Sequence, residues 1–464
     1  MTEVKARESR WITDMNHNEN TDGTWRRDAS GGSSRRGFLT RMTGWTAASA
    51  ALHGHQAGAG SPTPRTRPKT HRRLRVALLA TEVRRHSHAQ HFIDRLVEGY
   101  GWEGKHYRPG IDLVSLYVDQ FPIGDLARDR SRRHGVPIYP TVAEALTLGG
   151  SKLAVDGVVI IAEHGEYPRN EKGQTLYPRF KFFKETIRVF EQSGRSVPVF
   201  NDKHLSTTWA ECEEMVRDSR RLEFAFLAGS SLPVTWRVPS VELPWGMDLE
   251  ESVCVCYGGV DSYDFHGLET AQCMSERRGL GETGIRSVWA LRGTKMWDEL
   301  GKRSSTQDLV MAALARSHTV RPPDGYGYLP PTWDHLRKTC PEAVGYFIEH
   351  RDGLRTSMFM MNGLVQDFTY AGRERGRGTV ISCQMHLPMP GHISTTADFF
   401  NPLVRHIETT VVKRKPVYPP ERTLLTSGMT LAAVESLHRG QVPVATPEMA
   451  VTYDVGTEST FWRA

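Results

Sequence analysis

Asp202, Lys203 and His204 stand where the apolar run of "VPVFNDKHLS" (197–206) stops. In an open α/β sheet the carboxyl end of a strand is where ligands sit, so a charged trio there is a candidate for chemistry rather than for solvation. A second group lies in "DSYDFHGLE" (261–269), with His266 and Glu269 three residues apart. That spacing puts both on one helix face, where an imidazole titrating near neutrality can take a hydroxyl proton while a carboxylate orients it. Asp261 or Asp264 supplies a further acid just upstream. A third group is Glu163, His164 and Glu166 in "AEHGEYPRNEKGQTLYPR" (162–179). With Asp202, His204 and His266 these could ligate a divalent metal, although such loops more often hydrogen-bond, and no metal is assigned. In "QMHLPMPGHIS" (384–394), His386 is a pocket candidate and His392 a structural or surface residue.

The elements that must position these groups alternate. "LRVALLA" (74–80), "IDLVSLYVD" (111–119), "VDGVVIIA" (155–162) and "VPVF" (197–200) read as buried parallel strands, with helical stretches such as "FKFFKETIRVFEQSG" (180–194) between them. Thr141 and Glu144 form a capping box that starts one of these helices. The order predicts a Rossmann-like, doubly wound parallel sheet over 74–210. Residues 211–464 change character. "SVCVCYGG" (252–259), "IRSVWALRG" (285–293) and "GTVISCQMHL" read as strands, and Asp352-Gly353 and Asn362-Gly363 as two hairpin turns. A mainly antiparallel α+β domain is expected there, with an exposed sheet face that would suit pairing with a second copy.

Composition narrows the function. The chain has 464 residues, 39% of them hydrophobic and 24% charged, within the globular range. Residues 1–73 hold 13 Lys/Arg against 6 Asp/Glu, so a net charge of +6 leaves the remainder at −1. A nucleic-acid partner loses its electrostatic argument. The six cysteines show neither CxxC nor zinc spacing and read as buried thiols.

Residues 1–33 read as a disordered extension (translation beginning at Met15 would shorten it) and 60–73 as a Pro- and Arg-rich linker. In 34–59, Arg35 and Arg36 precede a weakly apolar stretch and a small-residue cleavage site, "AGA". This resembles a twin-arginine (Tat) export signal, which implies contact with the Tat machinery and a periplasmic or extracytoplasmic location.

The order "HGVPIYPTVAEALTL", "VDGVVIIA", "SVPVFNDKHLS" is similar to that of the Gfo/Idh/MocA family of sugar oxidoreductases. On that match Asp202 and Lys203 take the place of the family's Glu-Lys, and His204 that of its proline. "DSYDFHGLE" resembles the family's acid/base motif. The resemblance implies an NAD- or NADP-dependent enzyme acting on a sugar, sugar derivative or cyclitol. Lys203, His266 and Glu269 would be catalytic, and His204, Asp264 and His386 would face the substrate. Glu82, Arg84, Arg85, Asp119, Glu163, His164 and Asp202 would surround the cofactor. The family's glycine-rich phosphate turn is missing: in "ATEVRRHSH" (80–88), Ala80, Glu82 and Arg85 occupy the glycine positions and His88 matches a family histidine. Two alternatives stand beside this reading. One is a cofactor-free carbohydrate-binding or accessory protein of the same fold; the other is a metal-assisted lyase or hydrolase using Glu163 and His164.

Overall fold

The computed structural model describes residues 72–322, 331–388, 396–457 and 459–462. The extension, the export signal, most of the linker and His392 lie outside them. Six strands form the first sheet: β1 (Leu74–Ala80), β2 (Ile111–Val118), β3 (Ile138–Tyr139), β4 (Gly157–Ile161), β5 (Val199–Asp202) and β6 (Phe226–Gly229). They run in the order β3-β2-β1-β4-β5-β6, and every pairing is parallel.

Successive residues of β1 explain why its sequence is apolar throughout. Val76, Leu78 and Ala80 enter one core with helix α1 (His88–Glu98), while Ala77 and Leu79 enter another with α2 (Val142–Thr147), α3 (Arg179–Ser193) and α4 (Trp209–Arg221). A strand covered on both faces has no polar side to show. Thr141 caps α2 as its sequence predicts, accepting from the Glu144 amide at 3.1 Å. The sheet continues past residue 210, where the sequence reading ends the domain, because β6 is a fifth apolar run of only four residues.

The second sheet holds eight strands, β7 (Arg237–Val238), β8 (Leu249–Cys256), β9 (Ile285–Arg292), β10 (Val344–His350), β11 (Arg355–Met360), β12 (Phe368–Glu374), β13 (Val380–Met385) and β14 (Val444–Ala445), ordered β14-β9-β10-β11-β8-β12-β13-β7. Asp352-Gly353 makes the expected hairpin between β10 and β11. Asn362-Gly363 does not: the chain passes under β8, which pairs parallel with β11 on one side and antiparallel with β12 on the other. A turn dipeptide reverses the chain without specifying its neighbour.

Helix α5 (Asp264–Ser275), which carries His266 and Glu269, is buried along its whole length between β8 and the helix Pro420–His438. The sheet face expected to meet a second copy is instead core: Val253, Val255, Phe347 and Phe359 pack there against Met296, Leu309 and Leu336 of three short helices. All six cysteines are free and buried. No helix among the described residues is long and apolar enough to cross a membrane.

Candidate active site

The carboxyl edge of β5 and the buried helix α5 bring Lys203 and His266 together. Lys203 has φ +67, a left-handed conformation uncommon for a non-glycine residue. Its amide donates to the Gly229 carbonyl of β6 at 3.3 Å, fixing the bend. The ammonium then donates to His266 Nε2 at 2.5 Å and lies 3.1 Å from Glu163 Oε1. The Lys203 side chain is 3% exposed and that of Glu163 13%. Burial works against the ammonium, but Glu163 and then Asp202 outweigh it and hold its pKa above the ordinary value. Burial likewise opposes the Glu163 carboxylate, and Lys203, His88, His164 and Arg179 hold it well below its ordinary value.

With Nε2 accepting from Lys203, the His266 proton sits on Nδ1 and donates to Ser230 Oγ at 2.9 Å. Ser230 in turn donates to Glu269 Oε2, whose partner oxygen accepts from the Ser230 amide at 3.0 Å. Glu269 therefore reaches His266 through Ser230 rather than directly, the closest approach being 3.9 Å. Burial, reinforced by Lys203, pushes His266 well below the usual imidazole range, so it is a neutral base. Burial raises Glu269 to about 7 against the opposing Ser230 bonds. A lysine, a neutral histidine, a serine and a carboxyl group thus form one proton-conducting chain.

Glu269 carries a testable pH dependence. Its folded value lies above the unfolded one, so its contribution to stability is complete below the unfolded value near 4.5 and is lost as pH rises through about 7. Urea midpoints of the wild type should fall between pH 5 and 8, and those of Glu269→Gln should fall less. Equal slopes would contradict the raised value.

Around the pair, Arg179 at the start of α3 donates from Nη1 to His204 Nε2 at 3.2 Å and from Nη2 to Glu163 at 3.3 Å. His204, lowered by burial and then by Arg179, is neutral and carries its proton on Nδ1. Asp202 accepts from His88 Nδ1 at 2.7 Å, and His88 meets His164 edge to face at 5.7 Å. Burial lowers His164 to about 3. Four buried polar atoms of this edge, Asn201 Oδ1, Asp202 Oδ1, His204 Nδ1 and Arg179 Nε, have no hydrogen-bond partner among the described residues. Folded proteins leave few such atoms, and a cluster on neighbouring residues marks a place for a polar ligand or ordered water. No group of three or more His, Cys, Asp or Glu side chains suited to a metal occurs among the described residues.

Other expected site residues fall elsewhere. Asp264 shapes the loop before α5: it accepts from the amides of Asp261, Ser262 and Phe265 and from the Tyr346 hydroxyl at 2.9 Å, so it does not face a ligand. Burial, with Asp261, raises it to about 6. Asp261 is the acid nearer the cluster, 3.8 Å from His204. His386 pairs with Asp398 at 3.2 Å and stands edge to face with Trp236. Ser230, Arg179 and Tyr167 were missed. Ser230 follows directly on β6, so the carboxyl-edge rule applied to "FLAGSS" would have found it.

The residues aligned with a dinucleotide cradle do not fit one. Asp119, at the acid position after β2, is occupied on both oxygens, accepting from Tyr117 and Tyr167 hydroxyls at 2.6 Å each. In the β1–α1 turn Glu82 accepts from Arg84 Nε at 2.6 Å, so the cation meant for a phosphate is neutralised. Arg85 is exposed on the same turn. Ser87 Oγ caps α1 by accepting from both the Arg84 and the Gln90 amides.

No family model and no curated protein matches the chain. Among solved structures, GenD2 from gentamicin A biosynthesis in complex with NAD superposes with a TM-score of 0.49 at 13% identity, covering 81% of this chain and 96% of that one. Myo-inositol 2-dehydrogenase from Lactobacillus plantarum gives 0.47 at 11%, covering 80% and 99%. Myo-inositol dehydrogenase from Lactobacillus casei, in complex with NAD(H) and myo-inositol, gives 0.48 at 10%, covering 83% and 99%. The structural neighbours are Gfo/Idh/MocA-type dehydrogenases. At such identities the likeness is one of chain course, and the site's chemistry rests on its own residues.

Proposed function

We propose that the protein is an enzyme acting on a sugar, sugar derivative or cyclitol, with Lys203 and His266 as its proton-transferring pair. The observation that carries this reading is the 2.5 Å contact between a buried ammonium and a neutral imidazole, backed by Glu163 on one side and Ser230–Glu269 on the other. A pure scaffold has no use for a lysine held in left-handed backbone at the edge where ligands bind. The ammonium can donate to a substrate oxygen, and His266 can accept the proton that leaves. The unpaired atoms of Asn201, Asp202, His204 and Arg179 offer donors and acceptors in the proportion a polyol needs.

The experiment is a ligand screen by thermal shift over sugars, keto-sugars and cyclitols, followed by turnover with each hit. Lys203→Met and His266→Gln should each lower turnover by about 10²-fold or more, the contribution of a positioned acid or base. Undiminished turnover in folded samples of both variants would refute the reading.

Export through the Tat pathway belongs to the same proposal, resting on Arg35 and Arg36 ahead of the apolar stretch. Replacing both by lysine should leave the protein in the cytoplasm of a Tat-competent host. Unchanged export would exclude it.

A further inference from the structure

We infer that the segment 163–178 has taken over the adenosine half of the dinucleotide cradle, so that this chain binds no dinucleotide there and its substrate is a carbonyl-bearing sugar that needs no hydride acceptor. The substrate half of this inference rests on the proton-transfer reading above; the exclusion of the dinucleotide does not.

Three independent sets of contacts close the cradle. The first is at the acid after β2. In doubly wound sheets that acid holds the adenosine ribose through its hydroxyls. Here Tyr117 and Tyr167 already donate to its two oxygens, and Tyr167 is itself braced edge to face on Tyr177 at 5.6 Å, which lies under the Arg179 guanidinium at 5.0 Å. Second, Gln120 ties the segment down at its start, donating to the Glu166 carbonyl at 3.0 Å and accepting from the Glu166 amide at 2.9 Å. Gly165, at φ +106, permits this approach, because a Cβ there would lie 2.8 Å from Gln120 Oε1. Asp261 holds the far end by accepting from Gln174 Nε2 and the Thr175 amide.

The third set is in the phosphate turn. A pyrophosphate needs free backbone N–H groups and a close backbone approach at the first helix. The Thr81 amide donates to the Ile161 carbonyl, those of Arg84 and Gln90 donate to Ser87 Oγ, and that of His86 to Gln90 Oε1. Val83 is fully buried in the core, where a glycine turn would leave room. These four amides are satisfied by the chain itself, and Glu82 pairs with Arg84, the cation that would otherwise meet a phosphate.

What remains at the edge is an acid and a base side by side, and these balance a reaction by themselves. The hydroxyl-bearing carbon next to a substrate carbonyl gives its proton to His266 Nε2 as Lys203 Nζ gives one to the carbonyl oxygen, forming an enediol. His266 then returns its proton to the former carbonyl carbon while the neighbouring hydroxyl gives its own back to Lys203. The carbonyl is relocated to the neighbouring carbon, and nothing is oxidised overall.

Calorimetric titration of the full chain with NAD⁺, NADH, NADP⁺ and NADPH, each to about 1 mM, covers even the weak end of specific binding. We expect no heat, and no change in hydrogen exchange over 117–120 or 163–178. Saturable binding of any of the four, with protection of those segments, would overturn the inference. Lys203→Met separates the two levels. Nucleotide binding together with lost turnover in this variant would remove the inference and leave the proton-transfer pair. Silence with nucleotides together with full turnover in the variant would remove the pair and its substrate, leaving only the closed cradle.

Discussion

Lys203→Met should destabilise the fold by about 3–5 kcal/mol, the cost of removing one partner from a buried ion pair. Methionine keeps the length and apolar stem of lysine, so the loss is electrostatic rather than a cavity. Glu163, 13% exposed, is then left with Arg179 at 3.3 Å as its cationic hydrogen-bond partner. His266 loses the donor to Nε2 and the neighbouring positive charge that lowers it. Adding Glu163→Gln removes the stranded charge and should recover more than half of the lost stability in urea, without restoring turnover. Additive losses in the double variant would mean that the two side chains do not act as a pair.

Gly229→Ala should cost about 3 kcal/mol, from two sources of roughly equal size. Gly229 has φ +111, which an alanine adopts only with strain, and its added methyl would collide with Glu269 Oε1. The second source is specific to the site, because Gly229 passes close to the carboxyl group that Ser230 holds. Gly229→Ala in a Glu269→Ala background should therefore cost only the backbone part, about half as much. An equal cost in both backgrounds would show that Glu269 does not crowd the strand end. Denaturation midpoints of the four proteins decide it.

The two predictions meet at a place the sequence shows only in part. Parallel strands covered on both faces are continuous apolar runs, so β1, β4 and β5 are visible in "LRVALLA", "VDGVVIIA" and "VPVF". The edge rule then points to Lys203, and helical spacing to His266 with Glu269. The structure joins them over 63 residues of sequence separation. Ser230 stands just past "FLAG", where the edge rule applies once that run is read as a strand, and the extension of the sheet to β6 puts it between His266 and Glu269. The family resemblance puts Asp264 toward the substrate, but a carboxylate at a helix start can equally hold the amides of the loop before it, and local sequence does not separate these roles. Its three amide donors show the second. The pairing of Asp119 with Tyr167 spans 48 residues and depends on how a loop folds back, which no spacing rule encodes. Asn362-Gly363 announces a turn correctly, and its partner strands are set by β8 inserting between them.

The most direct test of the account is solvent isotope exchange. The full-length protein is incubated in D₂O with keto-sugars and keto-cyclitols, without added nucleotide, and the substrate carbons are followed by proton NMR. The account predicts deuterium at the carbon beside the carbonyl with wild type and none above background with Lys203→Met. No exchange in any substrate, with interconversion of alcohol and ketone appearing only once NAD(P) is supplied, would contradict it.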